Sequence, residues 1–444
     1  MKMNNFTVWF IIGVVIVGLL AIYVYEHFRY SPYSLLVDLG VIKEYVGDRH
    51  IDLADSQLRN DFRNLTAAFD ERMSAYNFAL KIAPILSTLK DGVTRIEFPL
   101  KKKDGRLPLK FKYIDDEIIV VKSDCDVPVG AKVLTINGYP IEQIIDKYAE
   151  LFPTLDEYKQ RYSFVDKLLY TYPVIIDANS IQLTYLAPDS YAQRLSYVKA
   201  VEESIRYPMP ISVFSRGRDT FVKVNTFSIT DKREMQAVTE MLDEVAKTTS
   251  EGSRTFFDLR YADDGDDAMV TTILSHLIDE PKNLYPSMYR RYKDSIVLAE
   301  QIPMTPSDNR LKGDVYFLVD QSCFYTPQRT ILFFIAENQI GQCIGSIPET
   351  SPTLYVDEFW RVLPNTRVYV AMPTEKAKIS PEKWDSFLTE NSSTSLLSDA
   401  AWVKLTKEAL CSREKYEEYI EKFVREFDEE FHENNVAQQP IPTL

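Results

Sequence analysis

Ser322, Cys323 and Thr326 fall within five positions, between an apolar run from Asp314 to Val319 and a stretch opened by Thr326-Pro327. A hydroxyl or thiol at such a junction is a place to look for a nucleophile, provided a base stands beside it and N–H groups face the developing oxyanion. No base is evident. None of the four histidines, His27, His50, His276 and His432, adjoins this stretch, and no lysine occurs between Lys312 and Lys376. Thr326 reads first as the N-cap of a helix with Pro327 at its first position. Cys323 reads as a small buried apolar residue. His276 sits inside a helical pattern, His432 in a terminal helix and His27 beside an apolar run.

The acidic run Asp263-Asp264-Gly265-Asp266-Asp267 is the other chemistry-bearing cluster. It has the oxygen ligands for a cation, but a solvated loop in which Asp266 or Asp267 caps the next helix is the simpler reading. No Cys-x-x-Cys or His-Glu-x-x-His spacing occurs, so neither a metal nor a cofactor is expected. Four cysteines over 444 residues make no disulfide framework, and Cys323 and Cys343 read as buried free thiols. A net charge of −14 excludes the basic footprint that nucleic-acid binding requires.

These residues need elements to position them. Phe6 to Tyr25 is 20 residues without a charge, long enough as a helix to span roughly 30 Å of bilayer core. Trp9, Tyr23 and Tyr25 lie at its ends, as interfacial aromatics do. The run is too long for a signal-peptide core, and no small-x-small cleavage site follows it. Lys2 precedes it, while Glu26 and Arg29 cancel after it. The expectation is a single-pass anchor with residues 1–5 cytoplasmic and the body outside, in the periplasm if the envelope is Gram-negative.

Residues 33–92 read as a helical segment. Leu58, Phe62, Leu65, Phe69, Met73, Tyr76 and Leu80 lie on one face of a long helix, Pro84 should kink or interrupt it, and Asp91-Gly92 makes a turn. Residues 106–200 read as strands around a tight turn. Glu117 to Val121 and Gly130 to Gly138 are strands, with Asn137-Gly138 suited to a type I′ turn; 141–170 is helical, and Ser180 to Tyr185 is a strand. Residues 205–375 alternate strand and helix. Strands are expected over Phe221 to Phe227, Arg254 to Leu259, Asp314 to Val319 and Gln342 to Ile344. The helices between them carry Met235 to Val245, with Asp231 as N-cap, and Met269 to Leu277. That order implies parallel strands joined by right-handed crossovers, a mixed α+β and α/β fold. Residues 376–444 add an acidic, aromatic helix from Ser412 to His432 that packs one face on the body.

Four stretches, in order, resemble the C-terminal-processing, or tail-specific, serine proteases. Leu89-Lys90-Asp91-Gly92-Val93-Thr94 looks like that family's Asp-Gly-His-Thr turn. Gly130 to Gly138 with Tyr139-Pro140-Ile141 resembles its PDZ-type segment. Phe221 to Phe227, then Phe257-Asp258-Leu259-Arg260 and Gly265, resembles a strand followed by Asp-Leu-Arg-x-Asn-x-Gly-Gly. Phe317 to Asp320 through Phe324, then Ile344-Gly345 and Leu363-Pro364-Asn365, completes the set. The resemblance implies an anchored helical segment, a PDZ-like domain and a mixed-sheet protease core.

It also implies where chemistry belongs, and there the sequence departs. Tyr325 stands at the nucleophilic serine and Gln328 at the glutamate three positions on. Ser351 stands near the lysine base of one branch, and Val93 at the histidine base of another. Ala262 and Asp264 replace an Asn and a Gly beside Gly265, where the resemblance places oxyanion-binding backbone at Gly265 and Thr326. The leading expectation is an inactive relative that binds peptide or protein segments. The alternatives are an active serine-type endopeptidase with displaced residues, Thr326 being the fallback nucleophile, and an envelope scaffold using the acidic helix.

Overall fold

The computed structural model describes residues 29–437, apart from 53–55, 68, 90, 98–104, 150–156, 170–179, 189, 191, 203–204, 293–294, 302, 349–350 and 394–400. The expected anchor, Phe6 to Tyr25, lies outside the described residues, and no described helix is long and apolar enough to cross a membrane. The chain divides into two compact units. One comprises residues 1–100, 150–155 and 357–374, and the other 101–149, 156–356 and 375–444.

Among its described residues the first unit carries three helices, Pro32–Arg49, Ser56–Thr66 and Ala75–Ser87. Ser31 caps the first by accepting the Ser34 N–H, with proline in its first turn. The expected single helix from Leu58 to Leu80 is broken into two, because the link between them turns back and pairs Met73 with Tyr30. Phe62, Phe69, Phe78 and Ile82 are buried on both sides of the break. Apolar spacing therefore continued while the chain direction changed. Pro84 does not interrupt its helix, which runs on to Ser87. Asp91-Gly92 forms a turn. Gly92 takes φ of 75°, and buried Asp91 accepts the Val93 and Thr94 N–H groups at 2.7 and 2.6 Å. Strand Arg95–Glu97 runs antiparallel to residues 369–371.

Among the described residues two sheets lie wholly in the second unit, which also carries strands Ser287–Tyr292 and Ser295–Leu298 of a third. The order of the first is Gln342–Gly345, Asp314–Val319, Arg254–Asp258, Asp219–Val224, Ile211–Arg216. The first four strands are parallel and the last is antiparallel. Every residue of Arg254–Asp258 is buried, as a strand covered on both faces must be. Val222, Phe257 and Phe317 form a core with Val238 and Leu242 of helix Lys232–Thr248, Met269 and Ile273 of helix Asp267–Ser275, and Ile331 and Leu332 of helix Thr326–Asn338. On the opposite face Phe256 stacks between Phe221 and Tyr316, at ring-centre distances of 4.6 and 5.0 Å. Phe423 and Phe427 of the last helix, Arg413–Ala437, close over Phe256 edge-on at 5.5 and 5.6 Å. The strand expected to reach Phe227 ends at Val224, after which Asn225 bonds to the Pro210 carbonyl.

The second sheet is antiparallel, in the order Leu109–Ile114, Glu117–Ser123, Lys132–Ile136, Ser180–Leu186, Gln193–Lys199. Asn137 and Gly138 take positive φ of 51° and 78°, as a type I′ turn requires. Asp115 and Asp116 make a second tight turn, with φ of 51° and 60°. The helix expected over 141–170 is described only in part. It is described as Ile141–Tyr148 and Glu157–Ser163, the latter continued by a π-helical turn, Phe164–Leu168.

The aromatic stack sets a stability test. Phe256→Ala removes a ring that touches four others, and should cost about 3–5 kcal/mol. Urea unfolding should show a lower midpoint with an unchanged slope. A loss within the scatter of surface substitutions would mean that the last helix does not seal this face.

Candidate active site

The turn after strand Asp314–Val319 is tied by Asp320. Its carboxylate accepts the Ser322 N–H at 2.9 Å and the Ser322 hydroxyl, and its carbonyl accepts the Cys323 N–H at 3.0 Å. The Ser322 oxygen also accepts the Tyr261 N–H at 2.8 Å and is buried. Both of its hydrogen-bonding roles are thus filled by the fold. The Cys323 thiol is buried, and burial followed by the charge of Asp320 pushes its pKa well up, away from a reactive thiolate.

Tyr325 leaves this turn in extended conformation, φ −67° and ψ 156°, and stands as the N-cap of helix Thr326–Asn338. Thr326 is therefore the first helical residue and not the cap. The Tyr325 side chain makes no capping bond, and the register differs by one from the sequence expectation. The Tyr325 side chain is buried. Its hydroxyl donates to Asp166 Oδ2 at 3.0 Å, the Lys167 ammonium lies 4.6 Å from its ring centre, and Tyr162 meets it edge-on at 6.0 Å. Burial, then the Asp166 charge, pushes the phenol pKa well above its ordinary value. Tyr325 is thus a neutral hydrogen-bond donor at neutral pH.

Asp166 belongs to a longer chain of charge. Lys112, on strand Leu109–Ile114, is buried with its ammonium 2.6 Å from Asp166 Oδ1 and 2.7 Å from Asp263 Oδ1. Burial alone would lower its pKa, but these two carboxylates raise it well above the lysine range. Lys110 pairs with the other oxygen of Asp263, and Lys167 with Asp264 at 2.5 Å. For Asp263, burial opposes ionisation, but Lys112 and Lys110 hold its pKa below the usual carboxylate range. The acidic loop is therefore not simply solvated. Asp263 and Asp264 are paired with lysines, Asp266 caps the next helix through the Ala268 N–H at 3.0 Å, and Asp267 accepts the Tyr285 hydroxyl at 2.5 Å. Among the described residues no group of three or more His, Cys, Asp or Glu side chains could hold a metal ion.

The remaining family positions are accounted for one by one. The Gly265 N–H donates to Asp264 Oδ1 at 3.0 Å, so the carboxylate next to it takes the donor that an oxyanion would need. A Cβ on Gly265 would lie 2.0 Å from the Phe227 carbonyl carbon, so close backbone approach explains this glycine. The Gln328 amide nitrogen faces the Leu259 and Ala262 carbonyls at 3.4 Å, and its oxygen is buried without a hydrogen-bond partner. Ser351 is exposed, and its hydroxyl accepts the Thr353 N–H at 3.2 Å. The Arg329 guanidinium holds that segment through the Ser351 and Thr353 carbonyls. Val93 belongs to the first unit and is buried there. His276 is bonded at both ring nitrogens, to the Thr272 carbonyl and Asp243, a structural role.

Sequence reasoning missed the cluster of Lys112, Asp166 and Lys167, and also His50. His50 Nε2 lies 2.7 Å from Asp91 Oδ2, and its Nδ1 accepts the Asp52 N–H at 3.1 Å, so the proton sits on Nε2. A lysine in the alternation Leu109-Lys110-Phe111-Lys112-Tyr113, on a strand that is otherwise apolar, was the one available signal.

No protein-family model matches the sequence, and no curated protein matches it. Solved structures do. Mature CPAF aligns over 82% of this chain and 95% of its own, with 11% identity and a TM-score of 0.54. A serine-to-alanine mutant of CPAF aligns over 86% and 97%, with 11% identity and a TM-score of 0.55. The photosystem II D1 C-terminal processing protease aligns over 78% and 88%, with 11% identity and a TM-score of 0.45. The chain has the fold of CPAF. At this identity the likeness is one of fold.

Lys112→Met tests the charge chain. It leaves Asp166 with the Tyr325 hydroxyl and Asp263 with Lys110, and should cost about 3–5 kcal/mol at neutral pH. In the wild type, the depressed Asp263 contributes fully above the ordinary aspartate value of about 3.9, and this is lost as pH falls through its folded value. The raised Lys112 contributes fully below about 10.4 and loses this as pH rises through its folded value. The deficit of the variant should therefore narrow on acidification, as the orphaned carboxylates become protonated. A deficit that stays constant from neutral to acidic pH would show that Lys112 acts by packing alone.

Proposed function

We propose that this protein is a catalytically silent relative of the tail-specific proteases, anchored by Phe6 to Tyr25, that binds extended peptide or protein segments. The observation that carries the first part is Tyr325. The position that the resemblance gives to a nucleophile holds a neutral phenol, bonded to Asp166 and overlaid by Lys167. The base positions hold Val93 and Ser351, neither of which accepts a proton near neutral pH, and the Gly265 N–H is bonded within its own loop. Nucleophile, base and oxyanion donor are then all absent or occupied.

The binding part is supported by the second sheet, which we read as PDZ-like. Its last strand, Gln193–Lys199, is an edge among the described residues. Only beyond it, at Val201, does the chain pair again, with Arg106. Leu195 and Tyr197, two positions apart and so on one face, are 48% and 74% exposed. An edge carrying exposed apolar side chains invites strand addition. Capture of a free C-terminus is disfavoured. Asp115 and Asp116 occupy the tight turn before strand Glu117–Ser123, and no glycine lies there to wrap around a carboxylate.

Two experiments test this. The wild-type protein should not react with a fluorophosphonate probe, and Tyr325→Ser alone should not restore proteolysis, because nucleophile and base act as a unit. Labelling of the wild type that disappears in Ser322→Ala or Thr326→Ala would establish the alternative of an active peptidase with displaced residues. In calorimetric titration, a library of peptides should bind equally as free acids and as amides, and Tyr197→Asp should weaken binding about tenfold, ~1.4 kcal/mol. Binding that requires the free carboxylate would overturn the strand-addition reading.

A further inference from the structure

Strand Thr353–Val362 and strand Tyr369–Lys378 form a hairpin whose end, residues 357–374, belongs to the first unit. That end is clamped to the first helix by Asp38. The buried Asp38 carboxylate accepts the Asn365 and Thr366 N–H groups at 3.0 and 2.7 Å and the Thr366 hydroxyl at 2.6 Å. The Asn365 amide adds a bond to the Ser34 carbonyl at 3.1 Å. The hairpin tip is thus fixed to the opening turns of helix Pro32–Arg49, and only six residues, Glu26 to Ser31, separate that helix from the apolar run ending at Tyr25. Six residues reach at most about 20 Å.

The surface so placed is of an unusual kind for this acidic chain. Tyr33 is 78% exposed, Trp360 38% and Val362 39%. Trp360 is held in place, with the Arg95 guanidinium 4.9 Å from its ring centre and Tyr369 edge-on at 6.3 Å, yet it remains accessible. Arg361 and Arg367 are exposed and make no ion pair among the described residues. The acidic neighbours on the hairpin are engaged: Glu358 takes both Arg95 terminal nitrogens at 2.9 Å, and Asp357 takes the Thr374 hydroxyl. Tyrosine and tryptophan beside free arginines is the composition of a membrane-interface surface, where the rings sit at headgroup level and the cations meet anionic lipid.

We infer that this hairpin tip, together with Tyr33, is a second membrane contact that rests in the headgroup layer of an anionic bilayer and fixes the first unit against it. The inference rests on the anchor proposed above. The chemistry that selects lipid over a protein partner is the short tether to the apolar run and the exposed arginines Arg361 and Arg367, which make no ion pair among the described residues.

The test uses the full chain reconstituted in phosphatidylcholine–phosphatidylglycerol vesicles carrying bromine at shallow or deep acyl positions. Trp9→Phe removes the tryptophan of the apolar run, and Trp384 and Trp402 are buried, 2% and 7% exposed. Shallow bromine should quench the fluorescence of this protein more than deep bromine. The difference should be lost when Trp360→Phe is added, and weakened by Arg361→Glu with Arg367→Glu. A protein that floats with the vesicles while Trp360 is quenched by aqueous acrylamide and not by bromolipid overturns the inference and leaves the anchor standing. Protection from both quenchers also overturns it, in favour of a protein partner. Failure to float removes the anchor and the inference together.

Discussion

The ammonium of Lys112, buried between Asp166 and Asp263, is the constraint on which the candidate site depends. A charge at that depth is expensive unless it is fully paired, so the two carboxylates must be where they are. Asp166 is brought there by a π-helical turn, and Asp263 by a loop whose backbone pairs with Asn225 and Phe227. Once Asp166 is placed, its second oxygen orients the Tyr325 hydroxyl, and the adjacent Lys167 covers the same ring and pairs with Asp264. The departures from the protease pattern at 264 and 325 are thus members of one connected set. Buried ion pairs contribute little net stability against apolar replacements, but breaking one costs about 3–5 kcal/mol because it leaves a buried charge without its partner. In this molecule they fix the antiparallel sheet, the π turn and the acidic loop in one arrangement.

The framework beneath this set depends on apolar burial. Residues alternate across the parallel sheet, so that Phe257 and Phe317 face three helices while Phe221, Phe256 and Tyr316 face the last helix. The last helix is therefore part of the core. Its charge is on the outer side, and its rings replace a fourth layer of aliphatic packing. This bears on the scaffold alternative. A helix that gives Phe423 and Phe427 to the core keeps only its polar face for a partner, and such a face lacks the apolar centre that stable interfaces use.

What the sequence made legible follows from the range of the forces involved. The β-α-β order, the Asn137-Gly138 turn, the caps at Asp231 and Asp266 and the apolar strand Arg254–Asp258 all express local propensity or strict alternation, and each appears as read. The break between the helices at 56–66 and 75–87 did not, because periodicity records which residues are buried and not whether the axis continues. Helix Pro32–Arg49 falls in the segment read as helical, and Ser31-Pro32 signals its start. At the site, the resemblance in strand, turn and helix points to Tyr325, Gln328 and Gly265. It does not point to their partners, because Lys112, Asp166 and Asp263 lie 54 and 151 positions apart along the chain. No short-range rule connects such residues.

Loss of chemistry at a protease-like site can proceed by removal or by occupation, and the two differ in how they can be reversed. Removal leaves a gap that the original side chain refills. At this site most positions are occupied. The phenol of Tyr325 is bonded to a carboxylate, the Gly265 N–H to another, and the Ser322 hydroxyl to a third. On the proposed reading, a serine introduced at 325 would inherit Asp166, Lys167 and Lys112 as neighbours. Asp166 already serves the buried Lys112 ammonium, and drawing it off as a base would leave that ammonium paired with Asp263 alone. The Asp264 carboxylate would still claim the donor at Gly265 and would repel a developing oxyanion. On that reading, recovering catalysis would require dismantling the ion cluster that joins the sheet, the π turn and the loop, and the contacts that stabilise the fold would also be the ones that keep the site silent.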